Sequence, residues 1–252
     1  MSHATSQGEI HYQSADGVAT IRIDRPAKRN ALTAAMCDQL HAAWLRFAAS
    51  EEDRVAILTA AGDDIFTAGA DLNDPPPRFW QAVPNVGVPV SKPIITAVAG
   101  PVVGAGVSIV AMSDLCVAAE NTRFIYPEAK VGIAVGLVSS IAARIPHKLA
   151  MELLLIGDAM DVQRAYQIGL VNRVVPAGAQ VATATEMART IAANAPLVVG
   201  LLKDMALETM PRGPVERMYH TQRAIDRVLQ SADAKEGPAA FREKRKPSFR
   251  GR

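Results

Sequence analysis

One acidic side chain and two small-residue turns are the parts of this sequence best suited to chemistry. Glu128 lies in "RFIYPEAKVGIAVG" (123–136), after Pro127 and before glycines, which predicts a loop edge rather than a solvated helix face. A lone glutamate is most often a surface charge or a helix cap. "VVGAGVSIVAMSD" (102–114) sets Gly104 and Gly106 at the foot of an uncharged, helix-like run whose first polar side chain is Ser108. Small residues at a helix start let a ligand approach N–H groups that have no partner inside the helix, where the helix dipole also favours negative charge. They equally allow close helix–strand packing, and from this stretch alone packing is the favoured reading. A dinucleotide loop of the GxGxxG type needs glycine at position 109, which is Ile109, and no acidic residue follows at the spacing of a ribose ligand. No GK[ST] follows either, so a P-loop is excluded.

A second stretch changes the odds. "IFTAGADLND" (65–74) places Ala68, Gly69 and Ala70 after a strand-like run, again where strand gives way to helix. Two such turns can aim one backbone N–H each at a single oxygen, which is an oxyanion hole. Other polar residues have quieter readings. Asp71, Asp158 and Asp161 read as helix caps, and His147 as a surface residue at a helix start. Tyr126, two residues before Glu128, either faces a pocket or packs in the core.

The elements that must position these residues alternate. "GVATIRID" (17–24) alternates apolar and polar residues as a half-buried strand does, and "RVAILTA" (54–60), "PIITAVA" (93–99) and "DLCVAA" (114–119) read as further strands. A helix fits Thr33 to Ala49, with Thr33 as N-cap and Met36, Leu40, Trp44 and Phe47 along one face. Strands separated by helices predict an α/β crossover architecture. "KLAMELLLIG" should be a helix closed by Gly157, and Asp161 should cap "VQRAYQI", closed by Gly169. After Val181 come three helical stretches broken at Pro196 and "PRGP" (211–214). From Pro196 on no strand pattern remains, which divides the chain into a core, 1–195, and a helical region, 196–252.

The 252 residues, 49% apolar and 21% charged with net charge +2, suit one globular domain with an appendage and do not advertise nucleic-acid binding. Cys37 and Cys116 show no metal-type spacing and fit a reducing compartment. The polar N-terminus carries no signal-peptide pattern. Ile94 to Met112 lack charge over 19 residues, but their glycines and Pro101 favour a strand, a turn and a buried helix over a membrane span.

In order and spacing, these stretches resemble the crotonase superfamily, the enoyl-CoA hydratase/isomerase family. The resemblance runs from "IDRPAKRNAL" (23–32) through "FTAGADL" (66–72), residues 92–133 and "AYQIGLVNRVV" (165–175) to "EGPAAFREKRKPSF" (236–249). Each motif alone is weak; together they are specific. The resemblance implies a crotonase-like spiral of repeated ββα units, a C-terminal helical trimerisation region, and a cytoplasmic homotrimer or dimer of trimers. It implies an acyl-CoA substrate, so that coenzyme A arrives with the substrate and no metal or redox cofactor is needed. The N–H groups of Ala70 and Ala105 would be the oxyanion donors. Ala27, Lys28, Ala68, Ala70, Asp71 and Leu72 would line coenzyme A, with the Ala68 carbonyl reading the adenine amino group. Phe241 and Lys244 would reach a neighbouring subunit's coenzyme A, giving the basic tail an anionic partner.

Family hydratases use two glutamates, and here the match keeps only the second. Glu128 stands at the second position, while Ser108 occupies the first. A hydroxyl cannot serve as a carboxylate base near neutral pH, so water addition loses one of its two proton handlers. One carboxylate suffices to carry a proton between carbons of an enoyl chain, which leans the reading toward double-bond isomerisation. Hydration by Glu128 with Ser108 orienting water, and a non-catalytic acyl-CoA-binding paralogue, are the alternatives. The proline-rich segment 73–91 should help wall the acyl pocket, with Phe79 and Trp80 as contacts.

Overall fold

Runs of β-branched and apolar residues supply the first sheet. The computed structural model describes residues 8–132, 141–211 and 214–252; Gly136 of the Glu128 stretch lies outside them. Strands β1 (Glu9–Ala15), β2 (Val18–Asp24), β3 (Val55–Ala60), β4 (Ile94–Val98), β6 (Leu115–Ala119) and β9 (Arg173–Val175) form a sheet in the order β1-β2-β3-β4-β6-β9. Only the β1–β2 pair is antiparallel. Strands β3 and β4 are buried almost throughout, as parallel strands covered on both faces must be.

A second sheet joins β5 (Pro101–Val103), β7 (Arg123–Ile125) and β8 (Met160–Asp161). The chain repeats itself here. Strand β4 in the first sheet, β5 in the second and helix α2 (Ala105–Met112) form one unit; β6, β7 and the short helix α3 (Glu128–Val131) form the next. Because β4 pairs with β6 and β5 with β7, both in parallel, one ββα unit stacks on its predecessor. An earlier turn shows itself as the isolated parallel bridge between Thr67 and Val102. The α/β, crotonase-like fold class expected from the sequence is the one observed.

Helix α1 (Ala34–Ala49) is capped by the Thr33 hydroxyl, which accepts from the Met36 N–H, and it buries Met36, Leu40, Trp44 and Phe47. Trp44 Nε1 donates to the Ala82 carbonyl at 2.8 Å, pinning the 3₁₀ turn Phe79–Ala82 under the helix. Phe79 and Trp80 are buried in that turn. Helices α4 (His147–Ile156) and α5 (Val162–Gln167) have the ends the sequence predicts: Gly157 is left-handed after the first, and Asp161 accepts from the Arg164 N–H at the second. Helix α6 (Gln180–Ala192) lays Ala184, Ala188 and Ala192 against Val55, Ile57, Ile95 and Val117 of the first sheet. Among the described residues no single helix is long and apolar enough to cross a membrane.

The chain divides into two compact units, Met1–Gly213 and Pro214–Arg252. Helix α7 (Pro196–Thr209) therefore belongs with the first unit, where the buried Lys203 ammonium donates to Asp114 Oδ2, Asn85 Oδ1 and the Lys92 carbonyl. The second unit holds α8 (Pro214–Leu229) and α9 (Ala232–Glu243). The last of these adds a fourth helix to the three expected after Val181. It runs through Gly237 and Pro238, with Ser231 as N-cap and left-handed Lys244 closing it.

Candidate active site

Hydrogen bonds from Asn30 and Thr67 hold the 65–71 segment against its neighbours. Asn30, buried at a φ of 53°, accepts the Arg25 N–H on its side-chain oxygen and donates to the carbonyls of Ala61 and Ile65. The Thr67 hydroxyl donates to the Asn30 carbonyl at 2.6 Å and accepts from the Gly69 N–H at 3.0 Å. Val103 N–H donates to the Thr67 carbonyl, tying the segment to β5.

One further bridge decides which way Ala70 points. Leu32 N–H donates to the Gly69 carbonyl and Asp71 N–H donates to the Leu32 carbonyl, the pattern of a parallel bridge between Leu32 and Ala70. Such a bridge uses the groups on either side of Ala70 and turns its own N–H away from Leu32. Ala105 is the first residue of α2, and its N–H is one of the donors a helix cannot satisfy internally. Among the described residues neither N–H has a backbone partner. The two turns touch: a Cβ built on Gly69 would lie 2.9 Å from the Val103 carbonyl oxygen and 3.4 Å from the Ala105 nitrogen. Gly104, at φ 53° and ψ −118°, makes the sharp corner, and Gly106 lets α2 settle where a Cβ would strike Thr67 Cγ2 at 2.5 Å. Close packing and a pair of amides without backbone partners are thus built around the same glycines.

Glu128 is half-buried at the first position of α3, a one-turn helix closed by left-handed Gly132, and not at a plain loop edge. Gly104 N–H donates to the Ile125 carbonyl at 2.8 Å, which ties the start of α2 to the end of β7 and hence to Tyr126 and Glu128. Ser108 is 1% exposed and Tyr126 is 2% exposed. Burial, and then the charge of Glu128, push the Tyr126 phenol above the ordinary tyrosine range, with Ser108 acting the other way. The three polar groups therefore share one neighbourhood.

The coenzyme A residues expected from the resemblance lie as follows. Ala27 and Lys28 are exposed in the 3₁₀ turn Pro26–Lys28, Ala68 is half-buried, and Leu72 is exposed. Phe241 and Lys244 are exposed in the second unit. Asp71 caps no helix. Its carboxylate accepts from Arg25 Nη1 at 2.6 Å and from the Asn73 N–H, and both side chains of the ion pair are about nine-tenths buried. Asp158 is no cap either, but the partner of Lys130. Sequence reasoning missed Arg25 and Asn30, whose only local mark was their place in "IDRPAKRNAL".

Asp71 carries a prediction. The Arg25 guanidinium, helped by the Asn73 N–H, holds its carboxyl below the usual carboxylate range. The folded value lies below the unfolded one, so the pair contributes fully above the ordinary range and its contribution fades as pH falls through the folded value. Asp71→Asn should cost about 2–3 kcal/mol at pH 7, less than a deeply buried pair because some exposure remains. Urea unfolding of both proteins should show the difference shrinking in acid; a difference independent of pH would refute the ion pair.

Comparison with known proteins adds kinship to this geometry. A family model described as enoyl-CoA hydratase/isomerase matches residues 13–252. Carnitinyl-CoA dehydratase from Proteus mirabilis is 35% identical over 259 residues, covering 96% of this chain and 98% of that protein. The crystal structure of carnitinyl-CoA hydratase from Mycobacterium avium superposes with a TM-score of 0.76 at 36% identity, covering 96% of this chain and 98% of the other. A probable enoyl-CoA hydratase/isomerase from Mycobacterium abscessus gives 0.74 at 35% identity, with coverage of 96% and 98%.

Proposed function

Since the chain belongs to the enoyl-CoA hydratase/isomerase family, we propose that it binds an acyl-CoA thioester with its carbonyl oxygen between the Ala70 and Ala105 N–H groups and moves protons with Glu128. The observation that carries this reading is the contact of the Gly69 and Ala105 turns, each with an unspent amide. With a 3-enoyl chain, Glu128 takes a proton from carbon 2, and negative charge spreads to the thioester oxygen. The two amides stabilise that charge, each donor contributing about 2.7–4 kcal/mol. The same carboxyl then returns the proton to carbon 4, leaving a 2-enoyl thioester. One carboxylate completes this cycle, and the cycle needs neither metal nor redox cofactor.

A second reading, addition or removal of water, is favoured by the names of the relatives. Supplying 3-enoyl-, 2-enoyl- and 3-hydroxyacyl-CoA, carnitinyl-CoA among the last, and following both double-bond migration and water exchange separates the two. Migration supports the first reading; an inert panel would remove the acyl-CoA reading altogether. Two buried thiols, Cys37 and Cys116, fit a cytoplasmic enzyme. We also infer a homotrimer or a dimer of trimers. Helix α7 exposes Leu197, Leu201, Leu202 and Met205, an apolar face suited to a second copy, and sedimentation as a monomer would count against it.

A further inference from the structure

A buried ammonium stands behind the far end of α2. The Lys203 side chain on α7 is 7% exposed, and its Nζ donates to Asp114 Oδ2 at 2.8 Å and to Asn85 Oδ1 and the Lys92 carbonyl at 2.9 Å each. An ammonium has three donors, and all three are used. Stability alone does not account for such a group, because taking an ion pair out of water costs about as much as the pairing returns. What a fully satisfied buried network does fix is geometry.

Asn85 passes that geometry on. It holds a left-handed φ of 61°, its side-chain oxygen accepts from Lys203, and its Nδ2 donates to the Met112 carbonyl at 2.8 Å. Met112 is the last residue of α2, and its carbonyl is one of the four that a helix cannot satisfy internally. Asp114, two residues on, is tied to the same point, since its carboxylate accepts from both Lys203 and the Ile94 N–H. Apart from Ser108, the side chains of α2 are apolar and buried, and apolar contact is non-directional. Hydrogen bonds at the two ends therefore set how the helix lies. At the start Gly104 N–H donates to the Ile125 carbonyl, and at the finish Asn85 donates to the Met112 carbonyl. Those ends are roughly 10 Å apart along an eight-residue helix.

We infer that Lys203 is a positioning residue for the reaction: through Asn85 it anchors the C-terminal end of α2 and thereby aims the Ala105 N–H at the other end. The inference rests on the acyl-CoA reading, in which that N–H is an oxyanion donor. An ångström of misplacement in such a site costs about 10²-fold in rate, and a short rigid helix passes a shift or tilt at one end to the other. The charge this donor stabilises develops after binding, so its misalignment lowers kcat and leaves KM nearly as it was.

The test measures kcat and KM for an enoyl-CoA thioester in wild type, Lys203→Met, Asn85→Gly and the double variant. Glycine takes the left-handed backbone without strain, so Asn85→Gly removes the relay alone. Each single variant should lower kcat about 10- to 100-fold with KM within a few fold. The double variant should be no slower than the worse single one, since both changes break one chain of contacts. Lys203→Met also leaves Asp114 without the Lys203 charge, where burial already pushes its carboxyl up, so the thermal midpoint should fall. Combining Lys203→Met with Asp114→Asn removes that stranded acid, and the midpoint should recover while kcat stays low. A kcat that recovers with the midpoint overturns the inference, because Lys203 would then serve stability alone. Losses that multiply in the double variant, or an unchanged kcat in Asn85→Gly, overturn it too and leave Glu128 and the amide pair standing. A wild type that turns over no thioester overturns the acyl-CoA reading and the inference together.

Discussion

Glu128→Gln is expected to reduce turnover of an enoyl-CoA by about 10²- to 10⁴-fold, the usual contribution of a positioned acid–base group, while the thioester still binds. Glutamine keeps the volume and the planar end of the side chain but can neither accept nor return a proton. Binding survives because the carbonyl clamp is made of backbone amides on two other turns, at Ala70 and Ala105. The same change removes the charge that opposes ionisation of Tyr126, so the phenol should titrate at lower pH in the variant. Steady-state rates, calorimetric affinity for a CoA thioester and an ultraviolet titration of the phenol measure these effects separately. Turnover within a few fold of wild type would remove Glu128 from the chemistry; lost affinity with lost turnover would instead make it a binding residue.

The parts of the site that sequence made legible are those with local causes. Thr33 caps α1 through its own hydroxyl, and the apolar spacing of Met36, Leu40, Trp44 and Phe47 is enough to place that helix face inward. Buried parallel strands such as Ile94–Val98 announce themselves as short uncharged runs rich in β-branched residues. The second sheet stayed hidden because its strands are two or three residues long and exist by pairing with each other, β5 with β7 and β7 with β8, across intervals no local window spans. Yet that sheet is what carries the end of β7 to the start of α2 and so joins Tyr126 and Glu128 to the amide pair. The Arg25–Asp71 ion pair, 46 residues apart in sequence, was hidden for the same reason. Tyr126 was ambiguous between core and pocket because composition cannot report whether a hydroxyl has a partner. Helix α9 runs through Gly237 and Pro238 with support from the chain that follows it: Asp233 accepts from the N–H groups of Arg250 and Gly251, and Glu236 binds Arg245.

The amide pair is most exposed to change at Gly69, whose φ of +88° and absent side chain both matter. Gly69→Ala puts a methyl 2.9 Å from the Val103 carbonyl oxygen and 3.4 Å from the Ala105 nitrogen, and these are backbone atoms that cannot swing aside. Relief must come from parting the two turns, which moves the Ala70 and Ala105 N–H groups off a common oxygen. Loss of one oxyanion donor typically costs about 10²–10³ in rate, and a shift that misaligns both should cost at least that in kcat. Left-handed strain adds about 1–2 kcal/mol of lost stability, which by itself says nothing of catalysis. Gly62 separates the two effects: it has nearly the same φ, +78°, but a Cβ there meets nothing within 4 Å. Gly62→Ala should therefore show the loss of stability with turnover retained, and Gly69→Ala both losses. Equal turnover in the two variants would mean that the contact between the turns does not set the donor geometry, and the carbonyl clamp would have to be sought elsewhere in the fold.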